Sequence, residues 1–248
     1  MQQWKAKMLK LQHELGVCPV NVYMDRPSEI LGQLSSLNIK FFVVGQYDGP
    51  MPLGFNRINK ITSDVCPNIV LSQTKLENFN TLRSIARDYK AQFVHYETNL
   101  LPNIKRGDLD AIKNERAGVN VFSCDFVARH WEFDETECVV IEPGLDDYLG
   151  KVSETGYCIS TNLPLSEMIA GVCPIVFKTP YTSSIIKNMY NGILYSSQEE
   201  IKFILNRLKT MDKEDVRAIG KNAQKTVIER FPKDKFLNSW AKLIERII

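Results

Sequence analysis

Apolar and polar positions alternate in blocks along the chain. Short β-branched or aromatic runs recur as VNVYM, FFVVG (41–45), IVLS (69–72), QFVHY (92–96), VNVFS (119–123) and CVVIE (138–142), each long enough for one strand. Between them, KLENFNTLRSIARDYK puts Leu76, Phe79, Leu82, Ala86 and Tyr89 on one face of a helix. NIKRGDLDAIKNERAG and DFVARHWEF read as further helices, shorter or more polar. Strand followed by helix, repeated, predicts an α/β fold with a parallel sheet covered on both faces.

The rhythm breaks at EPGLDDYLG (142–150), where a Pro-Gly turn and an acidic pair interrupt it. It resumes with a strand at GYCIST, a helix at PLSEMIA and a strand at PIVFKT. Two helical stripes follow, Ile201, Ile204, Leu205 and Leu208, then Val216, Ile219, Ala223 and Val227. FPKDKFLNSWAKLIERII supplies a terminal amphipathic helix behind a proline. The expected division is a first domain over 1–142, a shorter second one over 143–232, and a terminal helix, 233–248, that packs back across them.

Composition narrows the function classes. With 248 residues, 44% hydrophobic and 24% charged, the chain can bury a substantial core. Its formal charge of +2 gives no global field that selects nucleic acid or an anionic membrane. The amino-terminal stretch MQQWKAKMLKLQHELGV has no uninterrupted apolar run, and nothing approaches the ~20 apolar residues of a membrane span. A cytoplasmic protein is expected. Six cysteines, Cys18, Cys66, Cys124, Cys138, Cys158 and Cys173, form no CxxC or Cys/His cluster and read as buried free thiols.

The turn TNLP ahead of LSEMIAG is the first candidate for chemistry. A helix that starts just beyond a sheet strand presents unpaired N–H groups and a positive dipole end, a setting that suits phosphate. Asn162 or Ser166 would equally cap such a helix with no ligand. Glu167, a few residues in, is favoured by the dipole on either account.

The ordered series Glu167, Ala170, Gly171, Pro174, Ile175, Val176, Asn191, Gly192, Phe231 and Trp240 resembles the carboxyl-terminal half of GT-B fold glycosyltransferases of the large retaining, nucleotide-sugar-dependent group. Upstream, FVHYETNLLP, GVNVFSCDFVARHW and VVIEPGLD are similar to the end of the first domain and the crossing between domains in the same proteins. The resemblance spans roughly residues 40–248. It implies two Rossmann-like parallel-sheet units, the second truncated, followed by a carboxyl-terminal helical segment. It also implies that Glu167 accepts hydrogen bonds from the donor's ribose hydroxyls, with Thr161, Asn162, Leu163, Pro164, Leu165 and Ser166 completing the donor-binding segment.

Two departures stand out. The family's usual first glutamate, eight positions before Glu167, is Ile159 here. The basic pair that neutralises the diphosphate is also missing, along with the first strands of the second domain. Lys151 and Lys178 could stand in for that charge, although a solvated surface lysine is the first reading of each.

On the amino-terminal side, His95 and Glu97 fall at the end of the QFVHY strand, where a cleft between domains is expected. They are the candidate catalytic residues, one to hydrogen-bond the sugar, the other to orient or deprotonate an acceptor hydroxyl. A satisfied half-buried histidine and a helix-entry carboxylate are the structural alternatives. The loop VVGQYDGPMP places Gly45, Gln46, Tyr47 and Asp48 on the acceptor side, with Arg129, beside His130 and Trp131, near the junction.

The function that the resemblance implies is transfer of a hexose or pentose from a UDP-sugar to an acceptor hydroxyl, with retention and without a metal. The acceptor is a glycan, a small molecule or, if the enzyme is viral, a hydroxymethylated base in DNA. A basic cleft of Lys105, Arg106, Lys113, Arg116 and Arg129 would favour DNA. The alternative is a catalytically inactive nucleotide- or glycan-binding protein of the same fold.

Overall fold

The structure, a computed structural model, describes residues 19–24, 29–44, 47, 49–52, 54–58, 61, 65–73, 79–98, 118–145, 156–161 and 163–248. It divides into two compact units, 1–143 with 234–248, and 144–233.

In the first unit, the apolar runs become β1 (Val20–Met24), β2 (Ile39–Val44), β4 (Ile69–Gln73), β5 (Gln92–Glu97), β6 (Val119–Phe122) and the two-residue β7 (Val139–Val140). A further strand, β3 (Phe55–Ile58), pairs with β2. The sheet runs β3-β2-β1-β4-β5-β6-β7, with every neighbouring pair parallel. Its order reverses between β1 and β4, the position at whose carboxyl edge open α/β sheets bind ligands.

Strand periodicity of two sorts the side chains between the faces. Val22, Met24, Phe41, Val43, Ile69, Leu71, Val94, Tyr96 and Val121 share a core with Phe236, Leu237, Trp240, Leu243 and Ile244. Those last five lie on the terminal helix, Lys233–Ile247. On the other face, Phe79 meets Phe93 and His95 edge-on, at ring separations of 5.0 and 5.6 Å. Between β1 and β2 come helix α1 (Glu29–Gly32) and a 3-10 turn over Gln33–Leu37, which buries Leu34 and Leu37.

Helix α2 (Phe79–Asp88) buries Phe79, Leu82 and Ala86 of the anticipated stripe, but not Tyr89. The helix stops at Asp88 and Lys90 turns left-handed at φ 54°, which carries Tyr89 to the surface. Leu76 and most of NIKRGDLDAIKNERAG lie outside the described residues. DFVARH forms α3 (Asp125–His130), which ends at the buried Trp131.

The second unit is a three-stranded parallel sheet, β10-β9-β8, built from β8 (Tyr157–Ser160), β9 (Cys173–Phe177) and β10 (Ile193–Tyr195). Helices α4 (Leu165–Ile169), α5 (Pro180–Ile185), α6 (Gln198–Thr210) and α7 (Lys213–Arg230) complete it. The terminal helix of the first unit is α8.

Local sequence explains the starts of these helices. Thr179 and Thr182 form a reciprocal capping box with Pro180 at the first position of α5. Ser197 caps α6 and Asp212 caps α7 through their side-chain oxygens. The α6 stripe of Ile201, Ile204, Leu205 and Leu208 packs with Ile175, Ile193 and Tyr195. Further along α7, Ala223 and Val227 join Met168, Ile169, Ile185 and Phe231 in a second cluster.

Candidate functional site

β8 ends at Ser160, and the chain passes through Thr161, Leu163 and Pro164 into α4. Pro164 is the residue before the helix, and no side chain caps it by hydrogen bond. Ser166 lies inside the helix, so it does not fill the capping role that its sequence allowed. Leu163 and Leu165 pack against the apolar cluster of α4, α5 and α7, whereas Thr161, Ser166 and Glu167 are exposed. The leucines thus anchor the turn and leave the Glu167 carboxylate facing solvent.

That carboxylate is close enough to the sheet to act on it electrically. Burial, then the Glu167 charge, push the Cys158 thiol up to about 11. Ile159, which stands where a second glutamate was sought, is 45% exposed on the edge strand β8. Lys178 is exposed, a solvated lysine beside a backbone N–H that donates to Tyr195 O at 2.8 Å. Asn162 and Lys151 lie outside the described residues.

In the first unit, the carboxyl ends of β4 and β5 bring three polar side chains together. Ser72 pairs with His95 in the parallel register, so both leave the sheet on the same face. Ser72 Oγ lies 2.7 Å from His95 Nδ1, and His95 Nε2 lies 3.8 Å from Glu97 Oε2. Ser72, His95 and Glu97 are 1%, 2% and 0% exposed. The solvent-facing rim expected for His95 and Glu97 is therefore replaced by burial, with Phe79 and Trp131 against the His95 ring.

Burial also lowers the His95 pKa to about 4, so the ring is neutral at pH 7. The order of contacts is the reverse of a hydrolytic triad, in which serine meets Nε2 and the acid meets Nδ1. A serine this deeply buried is no nucleophile for an external substrate.

Arg129 is exposed on a groove of about 720 Å³ that it shares with Asp125, Asp134 and Glu135. Three carboxylates around one guanidinium make the groove a poor phosphate site. Tyr47 is half-buried against the core, and its carbonyl oxygen accepts from Arg57 Nη2. Gly45, Gln46, Asp48, Lys105, Arg106, Lys113 and Arg116 lie outside the described residues. Among the described residues, no group of three or more His, Cys, Asp or Glu is placed to hold a metal ion. None of their helices is long and apolar enough to cross a membrane.

No protein-family model matches the chain, and no curated protein matches it. Solved structures do. Anabaena HepE, in complex with UDP-glucose, superposes with a TM-score of 0.70 at 10% identity, over 91% of this chain and 99% of that one. Sucrose-phosphate synthase from Thermosynechococcus elongatus gives 0.70 at 8% identity, over 93% and 99%. The chain has the GT-B fold.

A glycosyltransferase from Rickettsia africae matches at 0.58 and 11% identity, over 92% and 98%. The GT-B fold accounts for a seven-stranded parallel sheet, a second parallel unit and a terminal helix that rejoins the first sheet's core. Ser72 was absent from the sequence-based candidates. The available signal was a serine inside the apolar run IVLS; its pairing with His95 depends on sheet order, which no local pattern encodes.

Proposed function

We propose that the protein is a glycosyltransferase that moves a sugar from a UDP-sugar to an acceptor hydroxyl. The observation that carries this reading is the Glu167 carboxylate, held exposed at the first turn of α4 directly after β8, with Leu163 and Leu165 anchoring the turn. HepE, which shares the GT-B fold, was solved with UDP-glucose.

A carboxylate accepts from two vicinal hydroxyls at once, which fits the ribose of a nucleotide. In this reading the start of α4 receives the diphosphate, which gains negative charge as the glycosidic bond breaks. Stabilising that developing charge accelerates transfer more than holding the ground state does. In the retaining course we assign, the acceptor hydroxyl attacks from the leaving-group face and the departing diphosphate takes its proton. No protein nucleophile or metal takes part. The burial of His95 and Glu97 favours a role in shaping the carboxyl end of β5 over direct contact with the sugar.

A second reading, a nucleotide- or glycan-binding protein without transfer, is favoured by Ile159 in place of a second carboxylate. Incubation with a panel of nucleotide sugars and with glycan, small-alcohol and hydroxymethylated-DNA acceptors separates the two. Release of UDP that depends on an acceptor supports transfer and names the acceptor class. UDP binding without release supports the second reading.

A further inference from the structure

We propose that the protein associates with a second copy of itself through helix α6, Phe203 of each copy entering a groove beside the same helix of the other. The inference concerns a face of the second unit and does not depend on the glycosyltransferase reading.

Phe203 is 70% exposed, the most exposed large apolar side chain among the described residues. A single exposed apolar residue is ordinary on a protein surface. Phe203, however, stands on the rim of a groove of about 220 Å³, walled by Met189, Leu194, Ile204 and Met211. That volume is below the ~300–1,000 Å³ of small-molecule sites. It admits one aromatic ring, and methionine walls adapt to an inserted side chain because the thioether is unbranched and polarisable.

The charges on α6 select a second copy as the occupant. Glu200, Phe203 and Arg207 follow at spacings of three and four, so they line one side of the helix along the groove. Phe203 lies almost midway between the two charges, which are roughly 10 Å apart along the helix axis. A twofold axis across α6 near Phe203 sets the two helices antiparallel. Glu200 of each copy then faces Arg207 of the other, and Phe203 faces Ile204. Lys209 falls opposite Gln198 and Lys202 opposite Leu205, so no like charges meet along α6.

Both charged side chains are exposed, and neither makes an ion pair among the described residues. Glu200 Oε2 accepts the Ser196 N–H at 2.5 Å, which orients the carboxylate. A contact made by one 13-residue helix and its groove is small, so the dimer is weak and forms at high protein concentration.

Sedimentation velocity of the whole chain, from about 1 to about 500 μM, tests this as a shift from monomer to dimer. Phe203→Ser is expected to weaken dimerisation at least about tenfold, as loss of a central aromatic anchor does. Its unfolding midpoint should stay unchanged, because the side chain is exposed. Arg207→Glu and Glu200→Arg are each expected to weaken the dimer by like-charge repulsion, and the two together to restore it. Phe203→Ser and Arg207→Glu keep the Ser196 bond, so they carry the test even where Glu200→Arg fails to fold.

A chain that is monomeric throughout that range overturns the proposal and leaves the groove to a small ligand or to another protein. A dimer left intact by Phe203→Ser or by Arg207→Glu is made elsewhere on the molecule, which overturns it too. A double swap that folds without restoring the dimer overturns the antiparallel pairing of α6.

Discussion

Gly220 of α7 lies directly against the main chain of Gly171. A methyl group at position 220 would overlap the Gly171 carbonyl oxygen and come within 2.9 Å of its carbonyl carbon. Gly171 sits at φ 77°, in the left-handed region, at the turn between α4 and β9. Two glycines thus let α7 approach the turn that follows the Glu167 helix. Gly220→Ala is expected to destabilise the protein by about 2 kcal/mol or more through overpacking against backbone. Denaturant melts check this, and an unchanged midpoint would show that the approach is looser than described.

Asn191 is buried, and its side chain makes three hydrogen bonds. Its Oδ1 accepts the Lys187 N–H at 2.6 Å, and its Nδ2 donates to Ile185 O at 3.0 Å and Thr226 Oγ1 at 2.9 Å. Asn191→Ala is expected to cost about 2–4 kcal/mol, because a buried side chain loses three hydrogen bonds at once. Asn191→Asp replaces the amide donors with an acceptor and should be at least as damaging. Thermal unfolding of both variants measures it.

Tyr96 and Trp240 meet edge-on at 5.5 Å, yet Tyr96 Oη and Trp240 Nε1 are buried without a hydrogen-bond partner. Deleting an orphaned buried hydroxyl removes its desolvation penalty, so Tyr96→Phe should be neutral or stabilise by about 1 kcal/mol. A clear loss of stability in the same melts would mean that the hydroxyl is bonded after all, for instance to an internal water.

His95 makes stability fall as acid is added. Its pKa is lowered from 6.5 to about 4 in the fold by burial, so the unfolded chain binds the extra proton first. The contribution is complete above pH 6.5 and is lost as pH falls toward 4, amounting to about 3 kcal/mol across that window. Wild type and His95→Gln should therefore differ in the slope of unfolding free energy against pH between 6.5 and 4. Parallel slopes would contradict a neutral buried ring.

Most strands were legible because central parallel strands are buried on both faces and read as continuous apolar runs, as FFVV and IVL do. β3 was not. Asn56 and Arg57 are exposed on this edge strand, so FNRI carries no such run. The α1 segment and its 3-10 turn, EILGQLSSL, are too short to show a helical period.

The same contrast separates the candidate residues. The place of Glu167 in a strand–turn–helix was readable locally, and so were His95 and Glu97 at the end of their strand. The burial of His95 was not, because Phe79 and Trp131 pack on its ring, residues brought in by elements on either side in sequence. Arg129 was placed by sequence in a basic cleft near the junction, whereas Asp134 and Glu135, after the helix, line its groove.

The central claim is that Glu167 holds the nucleotide of a UDP-sugar, and thermal shift with saturating UDP tests it most directly. Wild type is predicted to be stabilised by UDP, and Glu167→Ala to lose most of that shift while melting at nearly the same temperature without ligand, since Glu167 is exposed. Equal stabilisation of wild type and Glu167→Ala, or none in wild type, would contradict the account.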